Sequence, residues 1–566
     1  MTKEIYIKEI RSKIEQEKLK IRKTFSFDDS RIAMLELTRS IDSAFVYVYF
    51  LLPREDKEYE NAYIVFSYIS AGFYNSLKTF IDKSINKSGY PLFVSDSNGV
   101  KWANDTNIRF GHIGYIEKYI ELANQQLFSI NKINTNDYKF TNLFPSPNRE
   151  QLVVEDFNWW QNQISFSEKD LTRLKYLKPI VEKQVFEKVS IWKEHFIRYD
   201  STSELDEHYE IVGRLFRRRM TGSDSFPLDA KFGLLSFGEI IMIIEAIIGY
   251  SLKHKDHCLA LLRKTNYTIN PWNLYPLDER IDDLAYNISI HKKLDYKKVF
   301  PFLVKLSIDE KDVDKLGDSA GNAPPPLIRI SKEFILKSLA GILNNPFAYL
   351  TRSLKFHYNR DYFNAVNHRE KVFKDDLYKL LDAKNLISIS RNINLKLNGK
   401  LITDIDALIY DINSKTILLV QLKWLDDFGA SMKMRYSMSK NFYSSSIKWI
   451  DKVESWLKER EIFELIKNDI KGINQNDIKN IELLILGRNF SHFSDQKEDN
   501  RASWCSWYTL IKLVTENSNY KKDIKLLTRK IKENNLKYDK NLSKEEIDSI
   551  EDEILQVQKS KIFIGF

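Results

Sequence analysis

Residues 401–424 read LITDIDALIYDINSKTILLVQLKW and contain two predicted strands joined by a turn. Residues 402–410 and 416–424 are rich in aliphatic side chains, as strands are. The segment between them supplies turn-forming side chains, namely Asp411, Asn413 and Ser414. The stretch therefore predicts a β-hairpin around which the rest of the chain is organised.

Polar side chains interrupt both of these apolar strands. Side chains two positions apart on a strand share a face, so Asp404 and Asp406 point the same way, as do Gln421 and Lys423. Burying an unpaired charge is costly, so such groups are normally paired or bind a metal ion. The hairpin therefore predicts a small polar cluster at the end of a hydrophobic sheet.

This stretch resembles the PD-(D/E)xK nuclease superfamily, which has the restriction-endonuclease-like fold. That family carries an Asp on one strand and a Glu/Gln-x-Lys on the next. Here Asp406 matches the first part, and Gln421-Leu422-Lys423 follows 15 positions after it. The alternative is an exposed hairpin with a solvated Asp and a Lys whose stem lies along the surface. The apolar residues that flank both strands favour a buried hairpin instead.

The composition predicts a large folded protein and excludes several classes. At 566 residues the chain has room for about three or four domains, and 43% hydrophobic and 13% aromatic residues are ample for large cores. The formal net charge of +9 permits a polyanionic partner without demanding one. Cys258 and Cys505 are too few for a zinc-finger framework or a disulfide-built secreted fold.

Targeting and membrane segments are not predicted. The N-terminal residues form a charged helix pattern without the apolar core of a signal peptide. The most apolar run, residues 240–250, contains Glu245 and is too short to span a bilayer. These observations predict a cytoplasmic protein with no membrane partner.

Residues 1–310 are predicted to form a mainly helical recognition or partner module of one or two subdomains. Helix-like apolar spacing occurs in four stretches, and residues 131–155, which contain Asn, Pro and Ser clusters, are predicted to be a long connection. The four stretches are residues 31–52, 62–85, 115–130 and 166–199. Residues 311–328, with a Gly and a Pro triplet, are predicted to be a linker, and residues 329–360 connecting helices.

Two features of this half suggest ligands. Arg214, Arg217 and Arg218 share one face of a predicted helix, where they either hold phosphates or are a solvated helix end. His254 and His257 have the helical i, i+3 spacing that suits a metal ion. No further ligand accompanies the two histidines, so we interpret them as part of an exposed helix end.

A helix predicted at residues 367–383 carries a carboxylate on its apolar face. Glu370 lies three residues before Phe373, on the side of the helix that faces the core. One interpretation is a capping box, with Asn367 as N-cap and Glu370 at the third helical position. The resemblance implies another, because these nucleases often place an extra acidic metal ligand on the helix before the sheet. Asp375 and Asp376 are weaker alternatives for that ligand.

The elements after this helix predict the architecture. Residues 386–397 alternate as a strand, and Asn398-Gly399 forms a tight turn before the hairpin predicted in residues 401–424. An amphipathic helix at 439–460 and a strand at 481–486 follow, and residues 504–514 are predicted to return to the sheet or to pack on it. We therefore predict an α+β protein, whose helical half precedes a three-layer α/β/α core of order αβββαβ in residues 361–516. Residues 517–566 are predicted to be a charged helical segment.

The resemblance also implies roles for the site residues and a divalent cofactor, Mg²⁺ or Mn²⁺. Asp406 is the central metal ligand, Glu370 a second, and Gln421 offers a neutral carbonyl oxygen. Lys423 orients the attacking water and stabilises the developing charge, and Asp404 supports Lys423 from the same face. Gln421 departs from the commoner Glu, which removes one negative charge from the metal site.

The implied function is a metal-dependent endonuclease of restriction or anti-phage defence type, with DNA as the substrate and RNA as an alternative. Basic residues near the motif provide a phosphate-binding rim in this interpretation. They are Lys355, Arg360, Arg369, Lys371, Lys374, Arg391, Lys433, Arg435 and Lys440. The competing interpretation is a degenerate nuclease fold that binds nucleic acid or scaffolds a complex. The helical half provides a protein partner site or self-association in either case.

Overall fold

Separate hydrophobic cores divide the protein into two modules. The computed structural model describes residues 2–25, 27–81, 86–144, 149–316, 323–426, 431–539 and 552–565. The largest core collects buried side chains from residues 7–365 and from residues 555–564, which we call the first module. Two further cores lie on the faces of a sheet built from residues 386–506, the second module. The protein is of the mixed α/β type, with helices prevailing.

The first module is mainly helical. A π-helix, Tyr47–Leu51, continues the second helix, and a 3-10 turn occupies Pro271–Asn273. The α-helices of this part of the chain are α1 Thr2–Lys23, α2 Ser30–Val46, α3 Tyr59–Phe80, α4 Ser97–Asn124, α5 Arg149–Gln163, α6 Glu168–Lys188, α7 Ser203–Arg218, α8 Phe237–Lys264, α9 Ile281–Lys292, α10 Tyr296–Leu306, α11 Val313–Leu316, α12 Leu339–Leu343, α13 Pro346–His357 and α14 Asn359–Val366.

Short strands connect these helices. They form two hairpins, a four-stranded sheet of order β7-β10-β9-β8, and one half of another sheet, β1-β2. Their bounds are β1 Phe128–Lys132, β2 Tyr138–Asn142, β3 Ser190–Trp192, β4 Phe196–Arg198, β5 Lys231–Phe232, β6 Leu235–Ser236, β7 Leu277–Arg280, β8 Ser307–Ile308, β9 Leu327–Arg329 and β10 Phe334–Lys337.

The second module is a five-stranded sheet of order β11-β14-β15-β16-β17 between layers of helices. The first three of these strands are antiparallel, and β16 and β17 run parallel to β15. A separate hairpin, β12-β13, leads into β14. The elements are α15 Arg369–Leu380, β11 Leu386–Ile389, β12 Ile393–Leu397, β13 Lys400–Ile405, β14 Ala407–Asp411, β15 Thr416–Lys423, α16 Met432–Glu459, α17 Phe463–Ile466, β16 Asn480–Gly487, β17 Ser503–Ser506, α18 Trp507–Glu516 and α19 Ile524–Asp539, with 3-10 turns at Gln475–Asp477 and Ser518–Lys521.

Local sequence signals explain the meander at the centre of this module. The predicted strand at 386–397 is divided into β11 and β12, and Asn398 and Gly399 both adopt positive φ angles, 48° and 76°, in the turn before β13. Strand β15 is buried over seven of its eight residues, as a strand covered on both faces must be. The long helix α16 then makes the crossover that a parallel β16 requires.

The expected linker at 311–328 is packed into the first module. Its residues 317–322 lie outside the described part of the chain. On one side of that gap, α11 buries Val313 and Leu316, and on the other the prolines at 324–326 are buried. Strands before and after the segment pair in one sheet, β8 with β9. The hydrophobic cores therefore place the boundary between the modules after α14, because α12 to α14 share the core of the preceding helices.

Two other stretches also differ from expectation. Residues 131–155 contain the end of the β1-β2 hairpin and the start of α5 rather than a long connection. Residues 517–566 are not wholly helical, since after α19 they form β18 Glu553–Val557 and β19 Ser560–Gly565. This hairpin completes a sheet of order β1-β2-β19-β18, with β19 parallel to β2. Period-two burial of Leu555, Val557, Ile562 and Ile564 drives that pairing.

The two modules exchange elements. Helix α5 precedes much of the first module in sequence, yet it packs on α18 of the second, where the Phe157 ring lies 4.9 Å from the Tyr508 ring. The hairpin β18-β19 makes the opposite exchange. Among the described residues, no helix has the length and apolar character needed to cross a membrane.

Candidate active site

Asp406 occupies a bend between β13 and β14, directly beside the end of β15. Its backbone N–H donates to the Val420 carbonyl at 3.2 Å. Ala407 is the next residue and pairs with Val420 in the antiparallel register. The bend releases the Asp406 side chain from the regular strand, while the backbone hydrogen bond holds it against β15.

The alternation of buried side chains shows that the motif residues share one face of the sheet. On β15, Val420 and Leu422 belong to the core beneath α15 and α18, whereas Leu419 belongs to the core beneath α16. Gln421 and Lys423 therefore lie on the α16 face, because successive strand residues alternate. On β14 the same alternation puts Leu408 on the α16 face, and Asp406 lies two positions before it.

A hydrogen-bonded cluster confirms this orientation. The Gln421 side-chain amide and the Leu422 backbone N–H both donate to Oδ2 of Asp406, the second at 2.7 Å. Gln421 is buried, and Lys423 at the strand end is half-buried. The described residues give the Lys423 ammonium no ion pair. The site thus presents one carboxylate, one amide and one available cation.

The charges around Asp406 make its ionised form unfavourable. Burial raises the pKa of Asp406 to about 6, and the neighbouring charges of Glu370 and Asp404 act in the same direction. The Leu422 hydrogen bond and the Lys423 charge oppose this effect and do not cancel it. Such a concentration of carboxylates in a partly buried site is typical of a functional centre, where a bound cation or a reaction relieves the repulsion.

Glu370 approaches this cluster from the first turn of α15. The capping-box interpretation of this residue is wrong, because His368 is the N-cap of α15 and makes no side-chain cap, while Asn367 ends α14. Glu370 is solvent-exposed rather than buried in the core. It is nonetheless close enough to Asp406 to raise the pKa of that carboxyl group.

The weaker acidic candidates on α15 have other surroundings. Asp375 is exposed, and Asp376 accepts a hydrogen bond from Arg488 at 3.0 Å. Arg488 is buried and also binds Asp224 of the first module, and its guanidinium lies 4.9 Å from the Trp424 ring centroid. Asp376 is therefore part of a contact between the modules.

Asp404 lies at the edge of the cluster. Its side chain is exposed, and its backbone carbonyl accepts a hydrogen bond from the Trp449 indole of α16 at 2.8 Å. The carboxylate contributes to the negative potential at Asp406. The structure therefore places Asp404 near Asp406 without a direct contact to Lys423 among the described hydrogen bonds.

Lys374, which the sequence predicts only as one of the basic rim residues, lies next to this site. Its ammonium donates to the backbone carbonyls of Ser390 at 2.9 Å and Arg391 at 3.4 Å. Burial lowers its pKa, and the charge of Asp406 opposes that shift. The i, i+4 spacing from Glu370 on α15 is the signal that would have identified it.

Arg369, next to Glu370, fixes the start of α15 against the first module. It is buried, donates to the Ser225 carbonyl at 2.7 Å, and pairs with Asp426 at 2.6 Å. Its guanidinium also lies 4.2 Å from the Phe226 ring centroid. This side chain therefore holds the helix that carries Glu370 in place and is not part of a phosphate rim.

The donor set matches a hard divalent cation in type. Asp406, Glu370 and the Gln421 carbonyl supply oxygen atoms, which Mg²⁺ and Mn²⁺ prefer. In the part of the chain that the structure describes, no three or more His, Cys, Asp or Glu side chains form a group that could hold a metal ion. A cation at Asp406 therefore requires further oxygens beside the two carboxylates, either neutral ones from Gln421 and water or anionic ones from a phosphate.

The predicted phosphate contacts of α7 are largely neutralised within the chain. Arg214 pairs with Asp170 at 3.1 Å, and Arg217 pairs with Glu245 at 2.8 Å. Arg218 is exposed at the end of the helix. Several rim residues of the second module are likewise paired, for example Arg391 with Asp469 and Arg435 with Asp495. Lys440 is exposed on α16, with its ammonium over the Tyr436 ring.

The two histidines of α8 are core residues, not an exposed helix end. His254 is buried and contacts the backbone carbonyls of Leu274 and Tyr275 at 2.9 and 3.0 Å. Burial lowers the pKa of His254 to about 3. His257 is also buried and stacks on Tyr199, with ring centroids 4.1 Å apart. Among the described residues, neither histidine belongs to a group of side chains that could hold a metal ion.

Comparisons with known proteins add no information about this site. No family model, no curated protein and no solved structure matches the chain.

Proposed function

We propose that the protein is a metal-dependent phosphodiesterase of the PD-(D/E)xK type, with DNA as its substrate and restriction or antiviral defence as its role. The observation that carries the proposal is the cluster at the end of β15. Asp406, Gln421 and Lys423 lie on one face of the sheet, in hydrogen-bond contact at Asp406 and Gln421, and the charge of Glu370 reaches Asp406 from α15.

The topology gives independent support. Helix α15, the antiparallel strands β11, β14 and β15, the crossover helix α16 and the parallel strand β16 follow in that order. With the β12-β13 hairpin inserted after β11, this order is compatible with the αβββαβ core that the resemblance implies. Asp406 directly precedes the second strand of the sheet, and Gln421 and Lys423 lie on the third. Resemblance in fold alone does not establish an activity, so the proposal rests on the cluster of Asp406, Gln421 and Lys423.

The chain's own residues have separable roles in hydrolysis. Asp406 and Glu370 concentrate negative charge for a cation, and the Gln421 amide holds Oδ2 of Asp406 in a fixed orientation. A divalent cation, when bound, neutralises phosphate charge and activates water. Lys423 supplies a positive charge next to this point, suited to the pentacovalent phosphate and to the departing oxygen.

A nucleic-acid-binding module without catalysis is the second candidate. The observation that favours it is the hydrogen bond from Gln421 to Asp406, because this bond occupies one of the two carboxylate oxygens with a neutral amide. In that case the hydrogen bonds of the polar cluster would only hold the strand ends together. The first module and α16 would then supply the binding surface.

Cleavage assays on two site variants decide between the candidates. Asp406→Asn removes the central charge with little change in shape, and Lys423→Ala removes the ammonium at the strand end. Each should reduce cleavage of plasmid, single-stranded DNA or RNA in Mg²⁺ or Mn²⁺ by on the order of a thousandfold. The measurement is the initial rate of strand scission by purified full-length protein.

Matched controls separate chemistry from folding. Asp382→Asn and Lys396→Ala alter exposed residues of the same module and should cleave at the wild-type rate. Unchanged cleavage by both site variants would exclude this site. A wild-type protein that binds nucleic acid but cuts none of these substrates in either metal would establish the binding module.

A further inference from the structure

A large cleft separates the two modules. Its volume is about 2170 Å³, whereas pockets for drug-sized ligands span roughly 300–1000 Å³. Helix α4, the π-helix and α13 of the first module form one side, and the first residues of α16 form part of the other. The dimensions suit a ligand of several linked units rather than a single small molecule.

Every acidic side chain of the cleft wall takes part in an ion pair within the protein, although Glu15 and Glu117 share Lys18. Asp426 pairs with Arg369 at 2.6 Å, and the buried Glu150 pairs with Arg435. The other three acids of the wall also take part in ion pairs, with Lys18 or Arg11. They are Glu15, Glu117 and Glu121. None of these carboxylates is therefore an unpaired negative charge facing the cleft.

Four basic side chains of the same wall are not neutralised in this way. Arg54 lies on the first module, Lys315 and Lys355 border the cleft near α13, and Lys433 begins α16. All four are exposed, and the described residues offer none of them an ion pair. The wall thus carries a positive potential that its own acids do not balance, and a polyanion is the ligand such a potential selects.

Aromatic rings alternate with these cations. Tyr49 and Phe356 line the cleft with 39% and 36% of their surface exposed, and Tyr436 lies one helical turn from Lys433. The Lys315 ammonium is 5.1 Å from the Phe356 ring centroid. A groove that combines cations for a backbone with aromatic rings for stacking is how proteins hold unpaired bases.

The cleft reaches the segments that follow β15 and β16. Asp426, Asn489 and Phe490 line it, and these residues follow directly after β15 and β16. Asn489 donates to the Leu425 carbonyl at 2.7 Å, which joins the two strand ends. The carboxyl end of parallel strands is where ligands bind in open α/β sheets, and Lys423 is the last residue of β15.

We infer that this cleft binds a single-stranded nucleic acid and leads it to the carboxyl ends of β15 and β16. The placement of the scissile phosphate rests on the proposed nuclease activity, but the binding does not. A duplex buries its bases in stacked pairs, so the rings of Tyr49, Phe356 and Tyr436 would have no bases to stack on. A single strand of several nucleotides satisfies both the cations and the rings.

The test measures binding without cleavage. Wild-type protein in EDTA is titrated against a fluorescein-labelled single strand of about 12 thymidines, against a duplex of equal length, and against polyglutamate of equal charge. Anisotropy gives each dissociation constant over a range of salt concentrations. The single strand should bind at least about tenfold more tightly than the duplex or the polyglutamate.

Two sets of variants locate the site. Lys355→Gln with Lys433→Gln removes two cations of the cleft and should weaken single-strand binding by on the order of tenfold at 0.1 M salt, with a salt slope reduced by about 1.4. The charge-matched control, Lys169→Gln with Lys175→Gln, alters exposed lysines of α6 outside the cleft. It should bind like the wild type.

The rings are tested separately. Phe356→Leu and Tyr436→Leu should each weaken binding by about tenfold through lost stacking. Their control is Phe363→Leu on α14, a residue 50% exposed outside the cleft wall. Thermal unfolding of every variant should match that of the wild type, since all these side chains are at least partly exposed.

The outcomes separate this inference from the proposed activity. Equal loss in the cleft variants and the α6 control would overturn the cleft as the site. Equal affinity for duplex or polyglutamate would overturn the single strand as its occupant. Cleft-dependent single-strand binding by a protein that cuts nothing would uphold the inference and refute the nuclease, and cleavage without such binding would do the reverse.

Discussion

Asp411 and Asp406 flank the same strand, β14, and occupy opposite kinds of environment. Asp411 is fully buried at the β14–β15 turn and accepts four hydrogen bonds, two on each oxygen. Their donors are Asn385, Asn413, Ser414 and Ile524. Asp406 has two donors, both on Oδ2, and its charged surroundings include Glu370 and Asp404.

The difference separates a structural carboxylate from a candidate functional one. At Asp411 the surrounding donors offset the cost of burial, so the charge fixes the turn and the start of α19. At Asp406 neighbouring carboxylates add to the cost of burial. A fold retains such an arrangement when it serves a site.

The largest effect is expected at Asp411. Asp411→Ala leaves two backbone N–H groups and two side chains without their acceptor in a buried turn. It should lower the free energy of unfolding by about 4 kcal/mol, measured by urea denaturation. Asp406→Asn should change that free energy by less than about 1 kcal/mol, because it removes repulsion together with one charge. Equal losses in the two variants would remove the contrast.

A second buried carboxylate extends the contrast to pH. Burial acts to raise the pKa of Glu498, but a hydrogen bond and the charge of His492, with contributions from Arg149 and Tyr443, outweigh it and lower that pKa to about 2. The unfolded chain binds a proton first, near pH 4.5, so the stabilisation is complete above pH 4.5 and is lost as pH falls towards 2.

The expected size of this effect is about 3 kcal/mol between pH 4.5 and 2. Urea denaturation of wild type and Glu498→Gln at a series of pH values gives the difference in slope. The wild type should lose more stability with acid than the variant does. Parallel curves would show that Glu498 is not held by its donors in the manner of Asp411.

The smallest effect is expected for Gln421→Glu. The amide that donates to Asp406 becomes a second carboxylate, so without metal the variant should lose about 1–2 kcal/mol of stability. Added Mg²⁺ should restore more stability to the variant than to the wild type, since binding to the folded state alone stabilises it. Melting temperatures in EDTA and in Mg²⁺ measure both shifts.

A double variant provides the control for this change. With Asp406→Asn in place, the repulsion is absent, and Gln421→Glu should lose its destabilising effect in EDTA. A loss that persists in the double variant would assign the effect to burial of the new charge and not to Asp406.

The candidate site can be predicted from the sequence because its polar residues stand inside apolar strands. Asp406 and Gln421 interrupt apolar strands, and a period of two places them on one face. The same pattern does not decide whether Glu370 is a capping residue or a metal ligand. In the structure α15 begins at Arg369, which pairs with Asp426, and no described side chain caps the helix. The i, i+4 spacing from Glu370 indicates that Lys374 is a neighbour of the site, but its backbone-carbonyl acceptors leave no signal in the pattern of side chains.

The fold predictions that differ from the structure concern segments whose packing partners are distant in sequence. The prolines at 324–326 favour extended backbone locally, but strand pairing and the first-module core decide that they are buried. Residues 553–565 carry a period-two pattern, yet the charge of the preceding residues favoured a helix, and their partner strand β2 lies more than 400 positions earlier. Composition within a window carries no information about such a partner.

The pairing of β2 with β19 has a consequence for synthesis. At about 5–20 residues per second, roughly 20 to 80 s pass between the emergence of Tyr138–Asn142 and that of Ser560–Gly565. During that interval one edge of β2 has no strand to pair with, and exposed edges recruit other chains. The sheet therefore closes only after the second module has been translated.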